Sequence, residues 1–562
     1  AGGGGGGGGG GPAPGEVEPV PPAAAGADPR RVQLLCYLGA MDGQGGPSLL
    51  VRDTAAVSGL TLLSRVLGYL RDRVAAHLLG TSFAADAFYL AFRIPNTVRR
   101  LVAEGALASA IVPELARASA DGDGGGRSDL LGRRILWTFG ALGAAIGIAG
   151  ALMAPWVVRV LAWDFRTTAP DAYRLAGGLT AALFPYVALA GIAALFSSLL
   201  YARGAFALPT LSLSVLNATV ILGALVLAPW LDSPAWALAW AVLLGGLLQA
   251  AVQVPSLRGL GGSLRPAWGW SDPAVRRLVA RAVPAIFGAG ASQVIFLLAT
   301  VLAHTAGEGA VSALYFANRL EEIAFGLVTV PLSLVALPSL ARATGEGDRE
   351  LFLATLRRVV SLGLFLIVPA ALGLAVLAKV IVRVLFQTGE FTGRSADLTA
   401  GPLVWLAAGL VPWGVGTLLV RASHGLGNVR GPLCSGLAAL GLFAITGPAA
   451  CRLWAAEGIA GAFSVSGFVY AGILVLSLRK RLGLRFLPGP GWCARLLASA
   501  AAAALAATGT ARIWPPHSGW DGALALFTAV ASALILFAGL SWVFGMAEIR
   551  ELRGAFGKGA TR

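Results

Sequence analysis

The chain has 562 residues, a mean hydropathy of +0.75, and 56% hydrophobic against 13% charged residues. A soluble protein of this length covers its surface with about a quarter charged residues, so this composition excludes one and points to a polytopic membrane protein. The formal net charge of +15 sits in loops and in arginines inside apolar segments, and so does not indicate nucleic-acid binding.

Residues 1–50 open with AGGGGGGGGGGPAPGEVEPVPPAAAGADPRR, mostly Gly, Pro and Ala without hydrophobic periodicity. Such a segment has no way to offset the entropy of ordering and is expected to be a disordered extension. It lacks the basic start, apolar run and cleavage site of a signal peptide, so the first span is expected to be retained. A hydrocarbon core roughly 30 Å thick takes about 20 helical residues. Apolar stretches of that size fall near 56–80, 84–113, 130–162, 173–202, 208–230 and 234–255. After a loop with Arg258, Arg265, Asp272, Arg276 and Arg277 they recur near 279–304, 310–341, 350–377, 396–424, 431–453 and 457–478, and twice more near 491–512 and 521–545.

The expected fold is therefore an all-α polytopic membrane protein with fourteen transmembrane helices. It divides into an N-lobe (51–256), a cytoplasmic inter-lobe linker (257–278), a C-lobe (279–479), helices 13–14 (480–545) and a cytoplasmic basic tail (546–562). Short cytoplasmic loops are enriched in Lys and Arg. The loops after helices two, six, eight and twelve carry that excess, which puts both termini in the cytoplasm. The four cysteines, Cys36, Cys434, Cys451 and Cys493, have no CxxC spacing, so neither a metal site nor a disulfide framework is expected.

An internal repeat relates the two sixes. IVPELARASADGD at 111–123 matches ALPSLARATGEGD at 336–348, and Tyr89–Arg93 (YLAFR) matches Tyr315–Arg319 (YFANR) at nearly the same offset. Each six has an even number of spans, so the bundles are parallel repeats about a pseudo-two-fold axis along the membrane normal. That is the plan of transporters in which two bundles rock about a midplane site.

Arginines within the first two spans are the informative chemistry. SGLTLLSRVLGYLRDRVAAHLLG (58–80) and ADAFYLAFRIPNTVRRLVAEGALASAIVPELARA (85–118) are apolar enough to enter a bilayer yet carry several guanidiniums. A charge at the bilayer centre costs about 2.5–3.5 kcal/mol on insertion scales, so a group of them implies a polar cavity and an anionic cargo. On an ideal helix Asp86, Arg93, Arg100 and Glu104 fall within about 40° of one another, with Pro95 expected to interrupt the run. Arg73, Arg93 and Arg100 read equally well as anchors reaching the interface.

SRVLGYLRD, ADAFYLAFRIPNTVRRLVAEGA, IVPEL, LPSLARA and LFQTGEFT (385–392) resemble the MurJ (MviN) family of lipid II flippases, in order and spacing across about residues 52–550. The resemblance implies a transporter, not an enzyme, in the cell inner (cytoplasmic) membrane. Its cargo would be undecaprenyl-pyrophosphate-linked disaccharide-pentapeptide, moved from the cytoplasmic to the outer leaflet for peptidoglycan assembly and cell-shape maintenance. Laying the family's motifs on this chain assigns Arg65, Arg71, Arg99 and Arg319 to head-group binding, where guanidinium forks suit a pyrophosphate. Ser64, Asn96 and Tyr69 are read as neutral hydrogen-bond partners. Asp72, Asp86, Arg100, Glu104 and Glu322 are read as gating or charge-pair residues, with Asp86 and Glu104 equally open to a capping role.

No cofactor is expected. Several family members place an acid of a sodium site in the seventh span, but Gln293–Ala303 here reads QVIFLLATVLA. That makes a sodium site doubtful and leaves the membrane potential, about 2.3 kcal/mol per charge per 100 mV, as the driving force. Membrane lipids and cell-wall synthesis machinery are the expected partners of a monomer. An O-antigen or capsule type of polyprenyl-pyrophosphate flippase fits the cationic cavity too, and a multidrug or cation antiporter fits less well because it needs intramembrane acids. A transferase would need clustered acids for a metal, and the DGD at 121–123 lies in a Gly-rich loop.

Overall fold

The computed structural model describes residues 2, 47–103, 111–115, 117–118, 126–259, 263–280, 291–345, 348–483, 486–514 and 519–558. The disorder expected for residues 1–50 falls outside these almost entirely, as does Glu104; the first helix already begins at Pro47. The chain divides between Arg52 and Asp53, and the packing that follows is that of the described residues in 53–562. Every regular element among the described residues is helical.

In chain order the N-terminal half holds α1 (Pro47–Leu79), α2 (Phe83–Ala103), α3 (Gly126–Leu152), α4 (Ala154–Leu161), α5 (Pro170–Leu183), α6 (Tyr186–Ala202), α7 (Ala207–Leu227) and α8 (Pro234–Ala251). The C-terminal half holds α9 (Ala291–Ala303), α10 (Ala310–Gly345), α11 (Arg349–Val376), α12 (Ala378–Phe386), α13 (Gly393–Gly425) and α14 (Arg430–Leu482). α15 (Pro490–Ile513), α16 (Trp520–Val543) and α17 (Ala547–Lys558) follow. Nine helices among the described residues are long and apolar enough to cross a membrane. α1 and α2 are not among them, their apolar runs being interrupted by Arg65, Arg71, Asp72 and Arg73 and by Asp86, Arg93, Arg99 and Arg100.

Two expectations of helix continuity are overturned, at Met153 and at Pro95. The stretch 130–162 is broken at Met153, where Pro155 opens the separate α4. Proline belongs in a first helical turn because its missing N–H has no partner there anyway. The segment matching α4 recurs at α12, APWVVRVL against AKVIVRVLF, again after a long helix. The spans 431–453 and 457–478 are separated as expected: α14 runs through both but breaks between them at Trp454 and Ala455, and the φ of 47° at Ala455 is the one positive value at a non-glycine among the described residues. Pro95 does not interrupt α2, which runs through it.

Burial divides the molecule unequally along the helices. At the end where α1 finishes and α10 begins, one core draws on both halves, from Ala75–Leu79 and Ala85–Phe92 through Leu179 and Leu238 to Phe316, Phe386, Leu406 and Phe463. At the opposite end there are two cores instead. Ile111, Leu131, Leu195, Leu199 and Leu278 belong to the N-terminal half, and Leu340, Phe352, Leu356, Leu418 and Leu478 to the C-terminal half. The halves are thus joined at one end and separately packed at the other, and the charged residues of α1, α2 and α10 lie on the faces between them.

The linker folds back on α3. Arg133 donates to the carbonyls of Arg265 (2.9 Å) and Pro266 (3.2 Å), Trp137 Nε1 to that of Leu264 (3.1 Å), and Gly269 N to Thr138 Oγ1 (3.1 Å). Arg134 pairs with Asp272 at 2.8 Å. Burial pushes the Asp272 carboxyl up, but the Ala274 N–H and the Arg134 guanidinium outweigh it and hold the group below the usual carboxylate range.

Candidate functional site

Four helices bring the charges together. α1 contributes Arg71 and Asp72, adjacent in sequence; Arg71 Nη2 reaches Asp72 Oδ1 at 2.7 Å, and its Nη1 donates to Asn217 Oδ1 of α7 at 3.2 Å. From the other half, Arg319 Nε of α10 reaches Asp72 Oδ2 at 2.5 Å. Asp72 is 2% exposed and thus takes a guanidinium from each half of the protein, with Tyr315 OH also donating at 3.4 Å. One turn along α10, Glu322 accepts from Arg319 Nη1 (3.4 Å) and holds both terminal nitrogens of Arg100 from α2, one of them at 2.9 Å. The order Arg71, Asp72, Arg319, Glu322, Arg100 is a continuous charge chain that crosses between the halves twice.

Glycines admit two of these side chains. A Cβ on Gly68 of α1 would lie 3.1 Å from Arg319 Nη2, and one on Gly326 of α10 would lie 3.1 Å from Arg65 Nη1. Arg65 therefore reaches from α1 to the α10 backbone, and it is exposed. Ser64 is half-buried and enters the cluster through its carbonyl, which accepts from Asn217 Nδ2 at 3.2 Å. Arg99 Nε donates to Asn96 Oδ1 at 3.1 Å, so the buried Asn96 helps orient that arginine.

The shared face expected on α2 is present and turned toward the C-terminal half. Asp86 reaches the start of α10, Arg93 lies 4.3 Å over the Phe296 ring of α9, and Arg100 pairs with Glu322. Arg93 is 4% exposed, which corrects the alternative reading of it as an interfacial anchor. A seven-residue step rotates by about 700° and returns each of these side chains to nearly the same azimuth.

Asp86 is 0% exposed and accepts from Gly309 N (2.7 Å), Ser312 N (2.8 Å) and Ser312 Oγ (2.7 Å), capping α10 with a carboxylate from the other half. The repeat register that equates Tyr89 with Tyr315 also equates Asp86 with Ser312. Both pairs touch, the tyrosine rings stacking with centroids 3.9 Å apart.

Further ties close this end. Glu390 N donates to His77 O (3.0 Å), Tyr69 OH to Leu385 O (3.0 Å), Arg73 Nη1 to Leu385 O (3.1 Å), and Thr81 Oγ1 to Ser395 Oγ (2.8 Å). Tyr69 and Arg73 therefore serve the closure. Gly309 has φ +82° and approaches so closely that a Cβ would stand 2.6 Å from the carbonyl oxygen of Thr81. Gly309→Ala adds a backbone penalty of about 1–2 kcal/mol to that collision and is expected to open this end. In a cysteine-free background, a cysteine at the buried Ser395 should then react severalfold faster with a membrane-impermeant maleimide; an unchanged rate would show that the glycine is dispensable.

Comparison with known proteins gives the family. Residues 75–527 match the sequence profile described as lipid II flippase MurJ. A Burkholderia cenocepacia protein described as lipid II flippase MurJ is 33% identical over 511 residues, covering 88% of this chain and 98% of its own. A Haemophilus influenzae protein described as probable lipid II flippase MurJ is 36% identical over 393 residues, covering 68% and 77%. The chain belongs to the MurJ family. In fold, it is similar to a solved lipid II flippase MurJ in an inward closed conformation, with TM-score 0.71 and 20% identity over 87% of this chain and 98% of that one. It also resembles an inward-facing multidrug resistance MATE family transporter of the MOP superfamily, with TM-score 0.63 and 16% identity over 75% and 95%.

Within this MurJ-family chain, sequence reasoning passed over Asn217, Tyr315, Phe296 and Glu321. Glu321 is 6% exposed and accepts from Asn318 Nδ2 at 3.2 Å. Asn217 and Glu321 had a signal, since a polar residue inside an apolar span is a site candidate by default. Phe296 had none. No group of three or more His, Cys, Asp or Glu suited to a metal ion occurs among the described residues.

Proposed function

We propose that the chain moves lipid II from the cytoplasmic to the outer leaflet by alternating access, with its pyrophosphate held among the guanidiniums between the two halves. The observation that carries this reading is the pairing of MurJ family membership with the charge chain of Arg71, Asp72, Arg319, Glu322 and Arg100, set between halves that share a core at one end only. The protein is a transporter, not an enzyme. It spans the membrane fourteen times as two six-helix bundles about a pseudo-two-fold axis plus two further helices, with both termini cytoplasmic and the joined end facing outward. The domain limits 51–256, 257–278, 279–479, 480–545 and 546–562 follow this plan, and it acts as a monomer beside the cell-wall synthesis machinery.

In this reading the carboxylates keep the arginines available without letting them trap the cargo. Six guanidiniums, of Arg65, Arg71, Arg93, Arg99, Arg100 and Arg319, stand with three carboxylates, of Asp72, Glu321 and Glu322, so the region retains a cationic excess. A pyrophosphate competes with Asp72 and Glu322 for Arg319, Arg71 and Arg100, the groups that also link α1 and α2 to α10. Binding therefore loosens the crossings between halves, and release on the other side restores them. Arg65 and Arg99 add bidentate donors. The membrane potential acts on these charges and resets the empty carrier.

The deciding experiment depletes the protein from cells and measures externally accessible labelled lipid II. The expected result is a fall in outer-leaflet lipid II with accumulation inside, restored by the intact chain. An undiminished external pool with normal wall synthesis, or accumulation of a different glycolipid, would overturn the reading.

A further inference from the structure

The geometry points to a binding site for the headgroup of an anionic phospholipid where the linker lies against the start of α3, apart from the cargo-binding charges. A cavity of about 720 Å³ there is lined by Asp129, Arg133, Arg258, Ser263, Leu264 and Arg265. Its electrostatics favour an anion. Among the described residues no carboxylate lies within ion-pair distance of Arg258 or Arg265, both exposed, and Arg133 spends Nε and Nη2 on carbonyls and so keeps its charge uncompensated. The one carboxylate in the lining, Asp129, is already engaged by Ser263 N at 3.0 Å and Arg203 Nη2 at 3.5 Å. The neighbouring Arg134 is neutralised by Asp272. Three guanidiniums and one occupied carboxylate leave a cationic pocket.

The surroundings select a lipid over a soluble anion. α3 carries its charges, Arg127, Asp129, Arg133 and Arg134, in its first turns and is apolar from Ile135 to Leu152, so the pocket lies where the helix passes from water to hydrocarbon. Exposed tryptophans mark the same level: Trp137 on α3, and Trp268 and Trp270 on the linker, are 41%, 65% and 54% exposed. Tryptophan rings favour the headgroup zone, and basic pockets at that depth take phosphate headgroups. A phosphate seated on Arg133, Arg258 and Arg265 leaves its acyl chains directed along the apolar part of α3.

The test uses the full chain purified in neutral detergent, titrated with phosphatidylglycerol, phosphatidylcholine or inorganic phosphate, with bound lipid counted by native mass spectrometry. Wild type should retain phosphatidylglycerol over phosphatidylcholine, and Arg258→Gln/Arg265→Gln should weaken that binding roughly thirty-fold. Arg479→Gln/Lys480→Gln, which removes equal charge elsewhere, should leave it unchanged. Equal losses in the two double variants would reduce the site to diffuse attraction and overturn the proposal; so would full displacement of the lipid by inorganic phosphate. Should the double variant fold poorly by its unfolding temperature, Arg258→Gln alone carries the comparison, because among the described residues that side chain has no ion-pair partner to lose. Lipid II transport is measured in parallel, and its loss or retention bears on the flippase reading separately.

Discussion

Replacing Arg319 by alanine is expected to abolish transport while the protein still inserts, as read by failure to restore externally accessible lipid II in depleted cells at normal membrane abundance. Arg319 is the only side chain of the cluster that holds both Asp72 and Glu322. Without it the carboxylate of Asp72, 2% exposed, keeps one guanidinium, that of Arg71, beside the Tyr315 hydroxyl. Removing one partner of a buried ion pair typically costs about 3–5 kcal/mol, most of it from the charge left behind. Stability and binding are separable here. Arg319→Gln keeps hydrogen-bond donors toward Asp72 without the charge, so it should lose less thermal stability than Arg319→Ala without recovering transport, if Arg319 holds the pyrophosphate as proposed. Arg319→Lys offers a point charge in place of a planar fork, and so should retain only a small fraction of transport. Recovery of transport by Arg319→Gln would show that Arg319 acts on Asp72 alone and not on cargo.

How much of this was legible beforehand depended on whether the information was periodic or tertiary. Mean hydropathy and spacing located the apolar helices, because a bilayer imposes one length on every span. The face carrying Asp86, Arg93 and Arg100 was legible for the same reason, seven residues being nearly two turns. Pro95 misled, since a missing N–H inside a packed bundle is tolerated where neighbouring helices supply the stability. Pro155 signalled the opposite outcome, opening a helix after Met153. Partners were not legible. Nothing in the sequence around Asn217 says that it meets Arg71 and the Ser64 carbonyl, and Phe296 gives no hint of Arg93, because those contacts exist only once α7 and α9 are placed against α1 and α2. The repeat was half-read: it equated Tyr89 with Tyr315, yet that these equivalent residues touch each other emerged only from the fold.

The contact of Asp86 with Ser312, equivalent in the same register, carries the second large prediction. Asp86→Asn should shift the protein toward a form open at the joined end and lower transport, whereas Ser312→Ala should do so weakly. The carboxylate of Asp86 satisfies two N–H groups at the start of α10 and one hydroxyl, in a place with 0% exposure. An asparagine has the same shape but only one acceptor oxygen, so its amide nitrogen must face Gly309 N–H or Ser312 N–H, donor against donor. The lost charge-assisted bond and the orphaned donor are worth roughly 1.5–3 kcal/mol, or about ten- to a hundred-fold in the ratio of closed to open forms. Ser312→Ala leaves both N–H bonds in place. The measurement is the maleimide reactivity of a cysteine at Ser395 in each background, with transport followed in parallel. A carrier that no longer seals one end cannot hold its cargo through the exchange of access, so reactivity should rise as transport falls. If Asp86→Asn left reactivity unchanged and still stopped transport, the carboxylate would act on cargo or coupling, and closure would rest on the Glu390–His77 and Tyr69–Leu385 contacts instead.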